Sequence, residues 1–206
     1  MLTAREVMAI SKIIPVMSVD SVDESLRLCE ALIEGGVSIF EITLRTPCAM
    51  DAIRAVAKEF PHATTGAGTV LNPTQFKMVE DAGASFAISP GLTESLAKYE
   101  NSIPLLPGVA TASEIMQGLE YGYDAFKLFP ANIVGGVNAL KSFGAPFGDV
   151  LFCPTGGVNA GNAKEFLALK NVLCVGGSWI VPTDLIKEGN FKAITALTQE
   201  AIQALN

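Results

Sequence analysis

The sequence contains a single histidine, His62, and no apolar run that approaches the length of a membrane span. Metal chemistry usually requires two or three converging His or carboxylate ligands, so a metal-dependent mechanism is poorly supported and we expect no cofactor. A span needs about 18 consecutive apolar residues. Arg5, Glu6 and Lys12 interrupt the N-terminal stretch, which therefore lacks the apolar core of a secretion signal. We expect a soluble, cytoplasmic protein without a membrane partner.

The chain is also short of positive charge and of paired cysteines. Its net charge is −7, whereas a nucleic-acid surface needs clustered Lys and Arg, so we expect no nucleic-acid partner. If the substrate is anionic, its positive contacts must be few and local.

No two cysteines form a C-x-x-C pair, so neither a zinc site nor a redox motif is indicated, and free, mostly buried thiols are expected. The four cysteines are Cys29, Cys48, Cys153 and Cys174.

What the sequence does contain is a regular βα rhythm. Short apolar runs rich in β-branched residues alternate with amphipathic stretches such as 23–34 and 47–59, which is typical of a parallel sheet with helices between its strands. The predicted strands are 13–17, 37–43, 63–67, 86–88, 103–106, 125–129, 150–153 and 172–175.

Eight βα units predict one α/β domain over residues 1–206, a (β/α)8 TIM barrel at the small end of the size range of that fold. An open doubly wound sheet is the alternative. Closure is favoured because unusual residues follow nearly every predicted strand, and a barrel gathers its function at that rim. These segments are 41–45, GAGT (66–69), SPG (89–91), PG (107–108), Lys127, TGG (155–157) and GGS (176–178).

Strand 37–43 carries an acid and leads directly to a base. Because side chains alternate along a strand, Phe40 and Ile42 share one face, while Glu41 and Arg45 share the other with Thr43. We expect the polar face to point into the barrel, where charges must be paired or used. An ion pair between Glu41 and Arg45 that merely fills the interior is the alternative.

Lys127 is the only lysine that the pattern places inside the barrel at the active rim. Phe126 and Leu128 should face the helices, which turns Lys127 inward. Desolvation favours the neutral form of a buried lysine, and the neutral amine is the form that attacks a carbonyl group. A structural role as the counter-ion of Glu41 is the alternative. Lys12 also has apolar neighbours, but it precedes the first strand and should lie at the opposite end.

Paired glycines follow the last two strands, at Gly156 and Gly157 and again at 176–177. Paired glycines allow backbone N–H groups to approach an anion closely, and in barrels these two loops usually bind phosphate. After the third strand, Thr69 can donate a hydrogen bond to a carboxylate or cap the loop, whereas Asn72 is interpreted as a helix N-cap. Pro90 is interpreted as part of a turn that enters a helix.

Together these motifs resemble the 2-dehydro-3-deoxy-6-phosphogluconate (KDPG) and 4-hydroxy-2-oxoglutarate (KHG) aldolase family over most of the chain. The family often carries an acidic residue after FPA, where this sequence has Asn132, and this difference concerns substrate preference. The segments that carry the resemblance are PVM (15–17), EGGVSIFEITLRT (34–46), GAGTVLNP (66–73), FAISPGLTE (86–94), FKLFPA (126–131), FCPTGGV (152–158) and CVGGSWIVP (174–182).

The resemblance implies a class I aldolase, a lyase of the Entner–Doudoroff pathway that acts on a small 2-keto acid phosphate. Lys127 would form the Schiff base and Glu41 would act as general acid and base. Arg45 and Thr69 would hold the pyruvate carboxylate, and Pro90 would line the pyruvate pocket. The expected contacts to the distal part of the substrate are Thr155, Gly156, Gly157, Gly177 and Ser178.

Three other functions remain open from the sequence. An aldolase for the galactonate epimer would use the same lysine, a non-catalytic phosphosugar-binding barrel would keep Glu41 and Lys127 as an ion pair, and an isomerase would not cleave its substrate. The resemblance also implies a homotrimer. Phe143, Phe147 and Trp179 are predicted to form an exposed apolar patch for association, although aromatic residues are more often buried in the core.

Overall fold

The computed structural model of the chain describes residues 2–206. They form nine strands and ten helices that alternate over most of the chain. The strands are β1 (Ile13–Met17), β2 (Ile39–Thr43), β3 (Thr64–Gly68), β4 (Phe86–Ile88), β5 (Leu105–Leu106), β6 (Gly108–Val109), β7 (Ala125–Leu128), β8 (Leu151–Pro154) and β9 (Val175–Gly177). The helices are α1 (Ala4–Ala9), α2 (Val22–Glu34), α3 (Ala49–Glu59), α4 (Pro73–Asp81), α5 (Glu94–Ala97), α6 (Ala112–Glu120), α7 (Gly136–Phe143), α8 (Ala163–Leu167), α9 (Thr183–Lys187) and α10 (Phe191–Leu205).

All strand pairs are parallel, and they form two adjoining sheets. One has the order β5-β4-β3-β2-β1-β9 and the other the order β6-β7-β8. Only Pro107 separates β5 from β6, and isolated parallel bridges, one of them Thr155 to Gly176, connect the β8 and β9 segments. The strand order is consecutive and has no reversal of the kind that marks a doubly wound sheet. The α/β fold with a curled parallel sheet is therefore confirmed.

The predicted strands differ from the observed ones mainly at their ends. The second strand begins at Ile39 instead of residue 37. The last strand begins at Val175 instead of residue 172, because Val172 makes only an isolated bridge. The predicted fifth strand is split, since Pro107 has no N–H group with which to continue a ladder. The predicted cap is confirmed, since Asn72 Oδ1 accepts from Gln75 N at 2.9 Å. Thr93 Oγ1 caps α5 in the same way by accepting from Leu96 N.

The parity predicted for β2 is confirmed. Phe40 and Ile42 are completely buried on one face, while Glu41 and Thr43 are buried on the other. Both faces of the strand are buried for two reasons. Helices cover the outer face of the parallel sheet, and the curvature of the sheet encloses its inner face. The Thr43 hydroxyl donates to the carbonyl of Met17 at 2.8 Å, so this inward polar group serves the neighbouring strand.

The predicted exposed aromatic patch is wrong. Phe143, Phe147 and Trp179 are all half-buried and pack against the core. The Phe143 ring stacks on Phe152 with 6.2 Å between centroids, and Phe147 meets its edge at 6.3 Å. The rings pack against core residues because this packing removes their apolar surface from water. Three of the four cysteines are also buried, as expected.

No helix within residues 2–206 is long and apolar enough to cross a membrane.

The carboxylate of Glu80 fastens α4 to the loop before β5. Its Oε1 accepts from the backbone N–H of Ser102 at 2.6 Å and from its hydroxyl at 2.8 Å, and its Oε2 accepts from the Tyr99 hydroxyl at 2.9 Å. Partial burial alone would raise the pKa of Glu80, but the hydrogen bonds from Ser102 and Tyr99 outweigh it and hold this pKa below its usual range.

We predict that Glu80→Gln lowers the free energy of unfolding by about 1 kcal/mol at pH 7, because an amide cannot accept all three hydrogen bonds. The pKa of Glu80 is lower in the folded chain, so its contribution is present above the unfolded value near 4.5 and is lost as the pH falls through the folded value. Urea titrations at several pH values should show the difference shrinking in acid. Glu120→Gln is the control, since Glu120 is exposed without a side-chain partner in residues 2–206; an equal loss in both variants would contradict the assignment.

Candidate active site

Lys127 and Glu41 meet inside the curled sheet. Lys127 Nζ of β7 donates to Glu41 Oε1 of β2 at 3.1 Å, and the side chains are only 6% and 2% exposed. The predicted inward positions of both residues are therefore confirmed, and so is the burial of Lys127. The ammonium group also lies 5.2 Å from the centre of the Phe129 ring. Two opposite charges buried this deeply must be paired, because removal of each from water is costly.

The Glu41 carboxylate occupies space that a side chain on β3 would otherwise fill. Gly68 lies beside it, and a Cβ atom at that position would be 2.2 Å from Glu41 Oε1. Such a distance is far below van der Waals contact, so any larger residue would displace the carboxylate. The glycine of the GAGT motif thus has a steric role toward Glu41, in addition to its place at a strand end.

Arg45 pairs with Thr69 and not with Glu41. Arg45 Nε donates to Thr69 Oγ1 at 3.3 Å, and no carboxylate within residues 2–206 forms a salt bridge with Arg45. The alternative of a Glu41–Arg45 ion pair is therefore wrong, because the chain leaves strand geometry after Thr43 and Arg45 becomes exposed at the rim. Its charge is free to meet an anion.

Thr69 has an unusual backbone conformation. Its φ of 63° is the one positive φ of a non-glycine residue in the described part of the chain. A β-branched residue in the left-handed region costs about 1–2 kcal/mol, and such strain gathers at functional sites. The strained backbone holds the Thr69 hydroxyl against the guanidinium of Arg45.

The two glycine-rich loops line a cavity of about 130 Å³. Gly156 and Gly157 have φ values of 98° and 79°, which explains why glycine is needed at both positions. The N–H groups of Gly157 and Ser178 have no acceptor within residues 2–206. Backbone donors in this arrangement suit an anion. The cavity is lined by Val16, Arg45, Phe129, Thr155, Gly156, Gly157, Val158, Gly176, Gly177 and Ser178.

A second cavity, of about 230 Å³, shares three of these residues. Val16, Arg45 and Ser178 line both cavities, which are therefore adjacent. Thr43, Thr183 and other residues of the β1, β2 and β9 ends complete it. The structure thus brings Arg45, Thr155, Ser178 and the predicted glycines together on one side of the rim.

Pro90 is exposed at the rim and lines neither cavity. The backbone of Gly108 approaches it closely, since a Cβ atom there would be 2.2 Å from the Pro90 carbonyl oxygen. This contact fixes the turn after β4 against the start of β6. The structure places Pro90 at the predicted end of the sheet without bringing it to the glycine-rich loops.

Phe129 and Val16 were not identified as site residues from the sequence. Phe129 links the two halves of the site, because its ring faces the Lys127 ammonium and also lines the smaller cavity. Its place two residues after Lys127, where the strand has just ended, is the sequence signal that would have identified it. Val16 stands at the corresponding end of β1 in the PVM segment.

A cavity of about 610 Å³ lies elsewhere. It includes Leu105 and Ala125, which begin β5 and β7, and it contains none of the predicted site residues. It therefore lies at the opposite end of the strands from Lys127. No group of three or more potential metal ligands is present in residues 2–206.

The sequence profile described as KDPG and KHG aldolase matches residues 4–197. The chain belongs to the KDPG and KHG aldolase family. It is 51% identical over 203 residues to the KHG/KDPG aldolase of Escherichia coli K12, a match that covers 98% of this chain and 95% of the relative.

Two solved structures of the family resemble this one closely. The KDPG aldolase of Legionella pneumophila, with pyruvate captured as a covalent carbinolamine intermediate, is 48% identical, with a TM-score of 0.94 over 96% of this chain and 97% of its own. The KDPG aldolase of Zymomonas mobilis ZM4 with 3-phosphoglycerate is 43% identical, with a TM-score of 0.89 over 96% and 94% of the two chains.

We predict that Thr69→Gly is more stable than Thr69→Ala by about 1 kcal/mol. Both substitutions remove the hydroxyl that Arg45 contacts, but only glycine adopts a φ of 63° without steric cost. Urea denaturation of the two variants measures the difference. Equal stability would show that this backbone position is not strained in the native protein.

Proposed function

We propose that this member of the family is a class I aldolase that cleaves KDPG to pyruvate and glyceraldehyde 3-phosphate, and also KHG to pyruvate and glyoxylate. The observation that carries the proposal is the buried contact of 3.1 Å between Lys127 Nζ and Glu41 Oε1. A primary amine and a carboxyl group in contact are the two groups that Schiff-base chemistry requires.

The pair supplies the nucleophile for the first step. Transfer of one proton from the Lys127 ammonium to Glu41 yields a neutral amine and a neutral carboxylic acid. The amine then adds to the C2 ketone to give a carbinolamine, and the acid donates its proton to the departing hydroxyl group. Water leaves, and a protonated imine remains on Lys127.

The same carboxylate serves in the second step. Glu41, again ionised, accepts the proton of the C4 hydroxyl, directly or through water, while the C3–C4 bond breaks. The bonding electrons pass into the imine, which becomes an enamine, and the aldehyde is released. Protonation of the enamine carbon and hydrolysis of the imine then release pyruvate and restore the amine. General acid–base help of this kind contributes about 10² to 10⁴ in rate.

The remaining site residues hold the two charged ends of the substrate. Arg45 and the Thr69 hydroxyl bind the carboxylate, because Arg45 is unpaired with any carboxylate in the described chain and is exposed at the rim. Pro90 borders the pyruvate end. The distal phosphate occupies the cavity of about 130 Å³, where the backbone N–H groups of Gly157 and Ser178 lack protein acceptors, with Thr155, Gly156 and Gly177 beside it.

The proposal includes a closed (β/α)8 barrel as a single domain over residues 1–206. Closure is supported by the single residue, Pro107, between β5 and β6, and by the bridges from Phe152 to Val172 and from Thr155 to Gly176. A closed ring places the C-terminal ends of β2 and β7 opposite each other across one rim. This arrangement accounts for a contact between residues 86 positions apart in sequence.

The two alternatives from other classes differ from this proposal in chemistry. A non-catalytic phosphosugar-binding barrel would keep Lys127 and Glu41 as a permanent ion pair, and an isomerase would not form an imine with pyruvate. An aldolase for the galactonate epimer would form the imine, and its preference at C4 would appear when both epimers are offered as substrates.

The central experiment is reduction by sodium borohydride in the presence of pyruvate, followed by intact and peptide mass analysis. The wild-type chain should gain a pyruvyl adduct on Lys127, whereas Lys127→Ala should gain none. Lys12→Ala is the matched control, since Lys12 is exposed before β1 and should leave the adduct unchanged. A folded wild-type chain without an adduct would overturn the proposal.

Glu41→Gln tests the acid–base assignment in the same assay. The amide keeps the shape of the carboxyl group but cannot accept a proton, so the adduct should form slowly and cleavage should fall by about 10² or more. Circular dichroism shows whether the variant is folded. Turnover at the wild-type rate by Glu41→Gln would assign the proton transfers to another group.

The oligomeric state is a further part of the proposal. Family membership favours a homotrimer, and large apolar side chains exposed on α4 and α6 offer surface for it, among them Met78 at 49% and Met116 at 57%. Light scattering should give three times the mass of one chain; a monomer at micromolar concentration would contradict this prediction.

A cytoplasmic location follows from the substrate, since phosphorylated sugar acids do not diffuse across membranes.

A further inference from the structure

All three tyrosines of the chain line one cavity, that of about 610 Å³ at the opposite end of the strands from Lys127. Tyr99 follows α5, whereas Tyr121 and Tyr123 belong to the turn between α6 and β7. A tyrosine ring supplies a large, rigid surface with an apolar face and a polar tip, which is why tyrosines are frequent at binding sites. Small-molecule sites have volumes of about 300–1,000 Å³. The volume and the rings together indicate a binding site.

The wall that Tyr99 forms is held in place by contacts with α4. The Tyr99 ring packs against the buried Phe76 with 5.2 Å between the ring centroids, and its hydroxyl donates to Glu80 Oε2 at 2.9 Å. Glu80 also accepts from the backbone N–H of Ser102 at 2.6 Å, so the loop 99–102 is fastened to α4 at two points. A wall that is already ordered lowers the entropic cost of binding a ligand.

A second wall is formed by the turn after α6. The backbone N–H groups of Tyr121 and Tyr123 both donate to the Gly118 carbonyl, at 3.1 and 3.0 Å. The Asp124 carboxylate is held by Arg5, whose Nε lies 2.8 Å away. Within residues 2–206 the hydroxyl groups of Tyr121 and Tyr123 have no hydrogen-bond partner, unlike that of Tyr99. These two hydroxyl groups are therefore available to a ligand.

The charge of the lining is negative. It includes the carboxylates of Glu100 and Asp124, and none of the described lining residues is a lysine, arginine or histidine. The nearby cations are occupied, since Arg5 pairs with Asp124 and Lys98 pairs with Glu94. No basic side chain of residues 2–206 forms a salt bridge with Glu100. Helix α6 also ends at this cavity, and the C-terminal end of a helix carries partial negative charge.

We propose that this cavity binds a small organic cation, an ammonium or guanidinium compound, by means of the tyrosine rings and the Glu100 carboxylate. The face of an aromatic ring carries partial negative charge and attracts a cation that lies within about 6 Å of its centre. The carboxylate supplies the opposite charge, and the phenol oxygens can accept N–H groups. The inference goes beyond the aldolase proposal, because the cavity contains none of the residues assigned to that reaction.

The test uses choline as the probe, because choline carries one positive charge and no N–H group. Its matched control is 3,3-dimethyl-1-butanol, which has the same shape but a neutral carbon in place of the nitrogen. The full chain is produced with tyrosine labelled with carbon-13 in its ring. Since all three tyrosines line the cavity, the NMR signals of their rings report on this site alone. Choline should shift these signals in a saturable way.

The neutral analogue should bind about tenfold more weakly than choline, because it loses the attraction to both the rings and the carboxylate. Tyr123→Leu should weaken choline binding by about threefold, whereas Tyr123→Phe keeps the ring and should stay within about twofold of the wild type. Glu100→Gln should also weaken it by about threefold, and this variant should fold because Glu100 is exposed. Glu188→Gln is the control, since it removes the same charge from an exposed residue outside the lining.

Absence of choline binding, equal affinity for choline and the neutral analogue, or a Glu100→Gln variant that binds choline like the wild type would overturn the inference. Tyrosine signals that shift with protein concentration in the absence of choline would also overturn it, because they would assign this surface to a contact between copies of the chain. All these outcomes are read without substrate. Failure of the proposed aldolase activity would therefore leave the test of this cavity unaffected.

Discussion

The structure of the active site depends on one buried ion pair, between Lys127 and Glu41. Each charge would cost several kcal/mol to bury alone, and the pair is tolerated because the two strands that carry it bring the groups to 3.1 Å. The proposed chemistry depends on the same geometry, since it requires an amine and a carboxyl group in contact. Gly68 contributes by leaving the space that the carboxylate fills.

Around this pair, the rim is built from backbone conformations that most residues avoid. Thr69 holds its hydroxyl through a strained φ, and Gly156 and Gly157 adopt positive φ values where they line a cavity. In the proposed function these positions bind a charged substrate without charged side chains, apart from Arg45. A chain of net charge −7 can thus hold an anionic substrate by local donors against its overall field.

Much of the architecture follows from local patterns in the sequence. Alternation of side chains along β2 predicts the inward position of Glu41. The apolar residues on both sides of Lys127 in β7 predict the inward position of that lysine. Helix caps such as Asn72 follow from side-chain chemistry that acts over three residues. Strand ends are less well predicted, because they depend on pairing with a neighbour; the late start of β9 is an example.

The sequence by itself determined the α/β class and the family, and it supplied the residues proposed for the reaction, because strand periodicity and glycine-rich motifs are local signals. Only the tertiary structure decided which groups meet. It paired Arg45 with Thr69 instead of Glu41, packed the half-buried Phe143 ring against the core, and brought the amide of Asn132 to the Gly157 carbonyl. Contacts of this kind join separate βα units, and their geometry depends on how the sheet curls.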